Sequence, residues 1–366
     1  MHYQILARKW RPNSFSEIIG QQYILTAIKN GFLFNKIHQS WILSGTRGTG
    51  KTTFARLLSK SLNCNTGIKM YPCQICSNCK DIQKGCFPDL IEIDAASKTK
   101  VEDIKELLNT VKYKPTKGKF KIYLIDEVHM LSKYSFNALL KNLEEPPKYV
   151  KFILATTEIR KLPKTIISRC IYFNFKEISI IQIIEHLSNI LNKEKIVFEK
   201  KALKIIAKES QGSIRDALNL SEQAIMIGGN EIKESILTNI FNFLSKEQAL
   251  KIIISVFEKN TFNVMLLLTK IYKTNIELST ILTKILEILH NIIIFKKCFK
   301  NDNYIESLYQ KKLLKISKLI DYEDLRNYYK IIVSGIKELK FLPNPKIGIE
   351  ITLLNILSIT QKKNKF

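Results

Sequence analysis

The segment GTRGTGKT at positions 45–52 carries the most specific chemistry in this chain. It fits the pattern G-x-x-x-x-G-K-[ST], in which a glycine-rich loop turns backbone N–H groups and a helix N-terminus toward a phosphate chain. Gly45, Thr46, Arg47, Gly48, Thr49 and Gly50 form the expected cradle. Lys51 reaches the β- and γ-phosphates of a nucleoside triphosphate, and Thr52 ligates Mg²⁺. The context agrees, because the apolar run WILS precedes the loop and FARLLSKSLN continues as a helix. A second apolar run, IYLIDE, ends in Asp126 and Glu127. Asp126 is expected to hold the metal, directly or through water, and Glu127 to polarise an attacking water as general base. Acid pairs at strand ends are common on surfaces; the upstream loop and the apolar run favour chemistry here.

Four of the seven cysteines lie together, with Cys64, Cys73, Cys76 and Cys79 spaced C-x8-C-x2-C-x2-C. Four thiolates around one ion make a closed tetrahedral zinc site, whereas a catalytic zinc keeps one position open. A redox-sensing cluster and an iron–sulfur centre are the alternatives. The short polar loop MYPCQICSNCKD suits zinc best. Cys86, Cys170 and Cys298 fall outside the spacing, and Cys86 reads as a spare thiol.

At 366 residues, 45% of them apolar and 25% charged, the chain has room for two or three cores. No apolar run approaches the roughly 20 residues that span a bilayer. The start, MHYQILARKW, lacks the apolar stretch of a signal peptide, so a cytosolic location is expected. The net charge of +25 gives a field that attracts polyanions, nucleic acid first. Richness in Lys, Ile and Asn supplies a second cause for the same surplus, and charge alone does not separate the two.

Elements that must position these residues follow from periodicity. Apolar runs at 40–45, 90–95, 121–127, 151–157 and 170–175 read as strands separated by helical patterns, the mark of an α/β fold with a parallel sheet flanked by helices. The first, third and fourth are nearly all apolar, as central strands buried on both faces require. From about Ile178 the pattern is helical. Gly228-Gly229-Asn230 interrupts it, and Pro343-Asn344-Pro345 interrupts it again. The expected domains are a nucleotide-binding domain over 1–177, a small helical lid over 178–242 and an all-helical domain over 243–366. The final QKKNKF reads as a frayed tail.

Taken together, the phosphate loop and the Asp126–Glu127 strand resemble those of the AAA+ family of P-loop ATPases. That resemblance assigns roles to residues that are unremarkable alone. Thr157, at a strand end, matches the polar sensor beside the γ-phosphate, and Arg215, otherwise a solvated helix arginine, matches the second sensor of the lid. The segment ARKWRPNSFSEIIGQ is similar to the one that encloses adenine in the family. Ala7, Arg8, Arg11 and Pro12 are its implied base and phosphate neighbours, while Trp10 and Phe15 read as core residues. Ser168-Arg169-Cys170 resembles the arginine finger of clamp loader subunits, where the arginine enters the adjacent subunit's site. Without its neighbours Arg169 would read as pairing locally.

The phosphate loop, cysteine insertion, LIDEVHMLS, NALLKNLEEPP and Ser-Arg-Cys follow one another as in the gamma/tau family of bacterial clamp loader subunits, over about residues 3–360. The resemblance implies ATP, Mg²⁺ and Zn²⁺ as cofactors. It implies a five-subunit ring with delta, delta-prime and further copies of itself, joined by the C-terminal domain as a collar. The sliding clamp (beta subunit) and primed DNA, recognised by shape rather than sequence, are the implied partners. The implied location is cytoplasmic, associated with the nucleoid and not with membrane.

A non-hydrolysing delta-prime-like subunit would lack a competent phosphate loop, yet Gly50-Lys51-Thr52 is intact. A branch-migration motor or an initiator would not explain the cysteine insertion, and no convincing helix-turn-helix for reading bases stands out. Longer tau forms carry an extension that contacts polymerase and helicase. The chain stops at Phe366, so those contacts are not expected, nor is a polymerase active site.

Overall fold

The computed structural model describes residues 4–97, 101–240, 244, 246–273, 277–298, 313, 316–317, 320–339 and 341–362. The chain divides into two compact units, Met1–Glu234 and Ser235–Phe366.

The first unit begins with α1 (Leu6–Lys9), α2 (Gln22–Leu33), β1 (Ser40–Ser44), α3 (Lys51–Asn63), α4 (Ser77–Lys84) and β2 (Leu90–Asp94). It continues with α5 (Val101–Asn109), β3 (Lys121–Asp126), α6 (Lys133–Glu144), β4 (Val150–Thr156), α7 (Lys164–Ile167) and β5 (Ile171–Asn174). All five expected strands form, and they pair in parallel in the order β2-β3-β4-β1-β5. The near-continuous apolar runs occupy the three central places, and β1 and β4 are buried along their whole length. The edge strands β2 and β5 alternate with exposed positions instead. This is the burial that separates strands covered on both faces from edges.

Successive residues of each strand serve opposite faces. Trp41, Leu43, Ile122, Leu124 and Ile153 pack with Phe54, Leu57 and Leu58 of α3 on one side. Ile42, Tyr123, Ile125, Phe152 and Leu154 pack with Phe136 and Leu139 of α6 and Ile166 of α7 on the other. The parallel strands thereby bring the C-terminal ends of β1, β3 and β4 side by side, where open α/β sheets place their ligands.

A helical lid follows, with α8 (Ile180–Lys193), α9 (Lys200–Glu209) and α10 (Ile214–Gly228). Ser179 and Gln182 close a capping box at the start of α8. Ser213 caps α10, and Gly229, in the left-handed region, ends it. A two-residue ribbon was not anticipated: β6 (Val197–Phe198) pairs in parallel with β7 (Glu231–Ile232). Two residues are too few for alternation to register in a sequence. Helix α11 (Glu234–Ile240) comes next.

In the second unit α12 (Lys246–Phe257), α13 (Thr261–Tyr272), α14 (Leu278–Cys298), α15 (Tyr322–Glu338) and α16 (Pro345–Lys362) bury a core that includes Ile253, Leu268, Ile285, Ile332 and Leu353. The Pro343-Asn344-Pro345 break falls between α15 and α16. Among the described residues, no helix is long and apolar enough to cross a membrane.

Candidate active site

The loop after β1 is pinned at its start, where Gly45 N donates to Thr156 O of β4 at 3.2 Å. Gly45 has φ +150°, and a Cβ there would lie 2.5 Å from Phe175 O, so only glycine fits. Gly48 has φ +79°, and its Cβ would lie 1.9 Å from Ser213 Oγ, the cap of the lid helix α10. Loop and lid therefore meet at a residue that has no side chain. Thr49 Oγ1 donates to Thr46 O at 2.8 Å. Gly50 precedes α3, and Thr46 and Arg47 are exposed at the tip.

Lys51, 6% exposed, donates through Nζ to Gly45 O at 2.7 Å and Thr46 O at 2.9 Å. Burial holds its ammonium below the ordinary lysine range, opposed by Glu127 and Asp126. One residue on, Thr52 Oγ1 donates to Asp126 Oδ2 at 2.7 Å. Glu127 follows in the left-handed region at φ 46°. Its Oε2 accepts from Thr157 Oγ1 at 3.0 Å and from Thr157 N at 3.2 Å. The structure thus brings Lys51, Thr52, Asp126, Glu127 and Thr157 into one connected group.

His129 joins this group without a role assigned from the sequence. Its Nδ1 lies 3.3 Å from Glu127 Oε2 and 3.1 Å from Thr156 Oγ1, and its Nε2 lies 3.7 Å from Glu158 Oε1. Only its place two residues after Glu127 hinted at such contact.

Arg11 lies where the charges of Arg8, Arg56 and Arg215 all reach it. Burial lowers the Arg11 guanidinium from its ordinary value, and the positive charges of Arg56, Arg215 and Arg8 lower it further against the pull of Glu92. Arg56, one helical turn beyond Thr52, forks onto Glu92 of β2 through Nε at 2.7 Å and Nη2 at 2.5 Å. A set of cations with so little opposing charge suits a polyphosphate. Arg215 is exposed in the first turn of α10. Ala7 and Pro12 are half-buried and Arg8 is exposed.

Phe15 is a core residue, 1% exposed and edge-on to Phe54 at 5.4 Å. Trp10 is not: it is half-buried, and its Nε1 donates to Glu194 Oε1 at 2.7 Å. The indole N–H needs a polar partner, and the end of α8 supplies one. Arg169 sits on the surface between α7 and β5, 34% exposed. It pairs with Glu144 at 2.6 Å and donates to Thr165 O at 2.7 Å.

Apart from the loop, Cys64, Cys73, Cys76 and Cys79 place their Sγ atoms within 4.8 Å of one another. Sulfurs 2.3 Å from a common tetrahedral ion lie about 3.8 Å apart, so the cluster fits one metal ion. Backbone amides support the thiols, Cys73 N on Cys64 Sγ and Cys76 N on Cys73 Sγ, both at 3.4 Å. Burial pushes the Cys64 thiol up, but hydrogen bonds from Cys73 and Thr66 outweigh it and bring the thiol down to about 6. Burial raises the Cys79 thiol. Asn63 braces the cluster's base by bonding Phe120 N and O, while Asn78 donates to Asn63 O. Cys86 is exposed and stands apart, its Sγ 3.6 Å from Asp81 O.

Comparison with known proteins identifies the family. Residues 20–179 match the family described as DNA polymerase III, delta subunit, and residues 182–230 the clamp loader subunit ATPase lid domain. Residues 232–365 match domain III of DNA polymerase III subunits gamma and tau. The DNA polymerase III subunit gamma of Buchnera aphidicola subsp. Baizongia pistaciae is 49% identical over 365 residues, 99% of each chain. The tau subunit of Escherichia coli K12 is 45% identical over 361 residues, 98% of this chain and 56% of tau. Among solved structures, the Thermotoga maritima RuvB Holliday junction branch migration motor aligns at 19% identity and TM-score 0.48, covering 68% of this chain and 79% of that one. The chain belongs to the gamma/tau subunit family of DNA polymerase III and is a clamp loader ATPase of the AAA+ fold.

Proposed function

We propose that the chain binds ATP at the 45–52 loop and hydrolyses it to load a sliding clamp onto primed DNA. The observation that carries this is the connected group of Lys51, Thr52, Asp126, Glu127 and Thr157 at the C-terminal ends of the central strands. Lys51, now bonded to its own loop carbonyls, turns to the β- and γ-phosphates when they arrive. Thr52 and Asp126 would hold Mg²⁺, which supplies charge neutralisation on the phosphate oxygens. Glu127 orients and deprotonates the attacking water, and Thr157 holds that carboxylate and senses the γ-phosphate. Arg215 reports nucleotide state to the lid, and Ala7, Arg8, Arg11 and Pro12 enclose the base side.

Arg169 acts on the ATP of an adjacent subunit. Its bond to Glu144 is an exposed pair, a kind worth about 0–1 kcal/mol, so a neighbour's phosphate displaces it readily. The four cysteines hold structural Zn²⁺. The ring partners are delta, delta-prime and further copies of this chain, with the beta clamp and a primer junction as substrates. The +25 charge supports a sequence-independent, salt-sensitive grip on DNA. The expected location is the cytoplasm, at the nucleoid. The test is ATP turnover with clamp and primed DNA added in turn; turnover that ignores both argues against clamp loading.

A further inference from the structure

The N-terminal segment is fastened at two places that belong to different parts of the first unit. Its upstream half lies on the lid. Leu6 N donates to Glu222 Oε2 of α10 at 2.9 Å, with both residues buried. Trp10 Nε1 donates to Glu194 Oε1, just past α8, at 2.7 Å. Lys9 Nζ donates to Glu194 Oε2, also at 2.7 Å. Lys193 Nζ sits 5.2 Å from the centre of the Trp10 ring. The downstream half lies on the sheet, where Phe15 packs into the core against Phe54 of α3. Residues 11–14 span the gap between the two anchors. Arg11 accordingly feels Arg215 of the lid and both Arg56 and Glu92 of the sheet side.

Glu194 is the centre of the lid anchor. One carboxylate takes an indole N–H and an ammonium, two donors nearly 200 residues away in sequence, and its side chain is only 18% exposed. Charge-assisted hydrogen bonds of this kind are the strong ones. Trp10 lies between Arg8 and Arg11, so fixing its indole fixes the backbone that carries them.

We propose that Glu194 is a positioning residue for base recognition: through Trp10 and Lys9 it straps residues 6–10 to the lid, so that adenine contacts follow lid position. This rests on the reading that Ala7, Arg8, Arg11 and Pro12 enclose adenine. Glu222 is the second anchor of the same strap. Arg8 and Arg11 also face the phosphate side, but the loop and α3, which the strap does not hold, supply most phosphate contacts, so base and phosphate binding weaken unequally in experiment.

The experiment measures equilibrium binding of ATP, GTP and inorganic tripolyphosphate to the full-length chain and to its Glu194→Ala and Trp10→Phe variants. Trp10→Phe loses about tenfold in ATP affinity, the scale of one hydrogen bond to a charged group, and Glu194→Ala at least as much, while tripolyphosphate binding falls by clearly less. The preference for ATP over GTP shrinks by the same factor. The double variant is no worse than Glu194→Ala, because the bond that Trp10→Phe removes is already gone there. Glu194→Gln, whose oxygen still accepts from the indole, retains most of the preference. A preference for ATP that survives in both single variants, or a matching fall in tripolyphosphate binding, overturns the proposal. A wild-type chain that binds ATP and GTP equally overturns the adenine reading on which it rests.

Discussion

Thr52 Oγ1 donates a 2.7 Å hydrogen bond to Asp126 Oδ2, joining the phosphate loop to the end of β3 through two oxygens of the kind that can ligate a metal. Magnesium prefers such oxygens, and 74 residues separate these two in sequence. What joins them is the sheet. The buried run of β3 ends at Asp126, and α3 begins at Lys51 beside it. A one-residue slip of β3 would turn the Asp126 side chain to the opposite face of the sheet.

Lys51→Ala is expected to abolish ATP hydrolysis while leaving the fold intact. The substitution leaves Gly45 O and Thr46 O without this donor, a loss of about 1 kcal/mol each at most. Turnover assays together with thermal melting test this. Undiminished hydrolysis would contradict the role of the loop.

Arg169→Ala in the assembled ring should retain ATP binding and lose about 10³-fold or more in hydrolysis, as for other arginine fingers. Its partners Glu144 and the Thr165 carbonyl are near the surface, so the melting temperature should hardly move. Loss of nucleotide binding would make Arg169 a structural residue instead.

Removal of the metal from the cysteine cluster should lower the melting temperature by several degrees. Cys64 ends α3 and Cys76 caps α4, so an ion held by the cluster would tie those helices together. Elemental analysis should find one zinc per chain, absent after Cys73→Ser. Iron, or no metal, would contradict the assignment.

Acid should weaken the lid through His186. Burial first, and then the charge of Lys193, hold its imidazole below the ordinary 6.5. The unfolded chain therefore takes up this proton before the folded one does. Stability is full above 6.5 and declines as pH falls toward the lowered folded value. His186→Gln should flatten that part of the pH profile of melting temperature. An unchanged slope would assign the effect to other groups.

The five strands and the phosphate loop were legible because each is a local signal: an apolar run, or glycines at fixed spacing ahead of a helix. The cysteine cluster was legible for the same reason, since Cys73, Cys76 and Cys79 fall within seven residues. Contacts between distant side chains were not. Gly48 meeting Ser213, His129 meeting Thr156, and Arg56 forking onto Glu92 depend on strand order and helix placement. Trp10 misled for a related reason. Its size suggests the core, but its N–H is drawn to Glu194, which only the folded lid brings near.

The most direct test of the central claim is ATP hydrolysis by the purified chain, alone and then with delta, delta-prime, clamp and primed DNA. The account predicts weak turnover alone and a strong rise only in the full mixture, because Arg169 completes a neighbour's site and not its own. Full activity in the isolated chain, indifferent to clamp and primer, would contradict it.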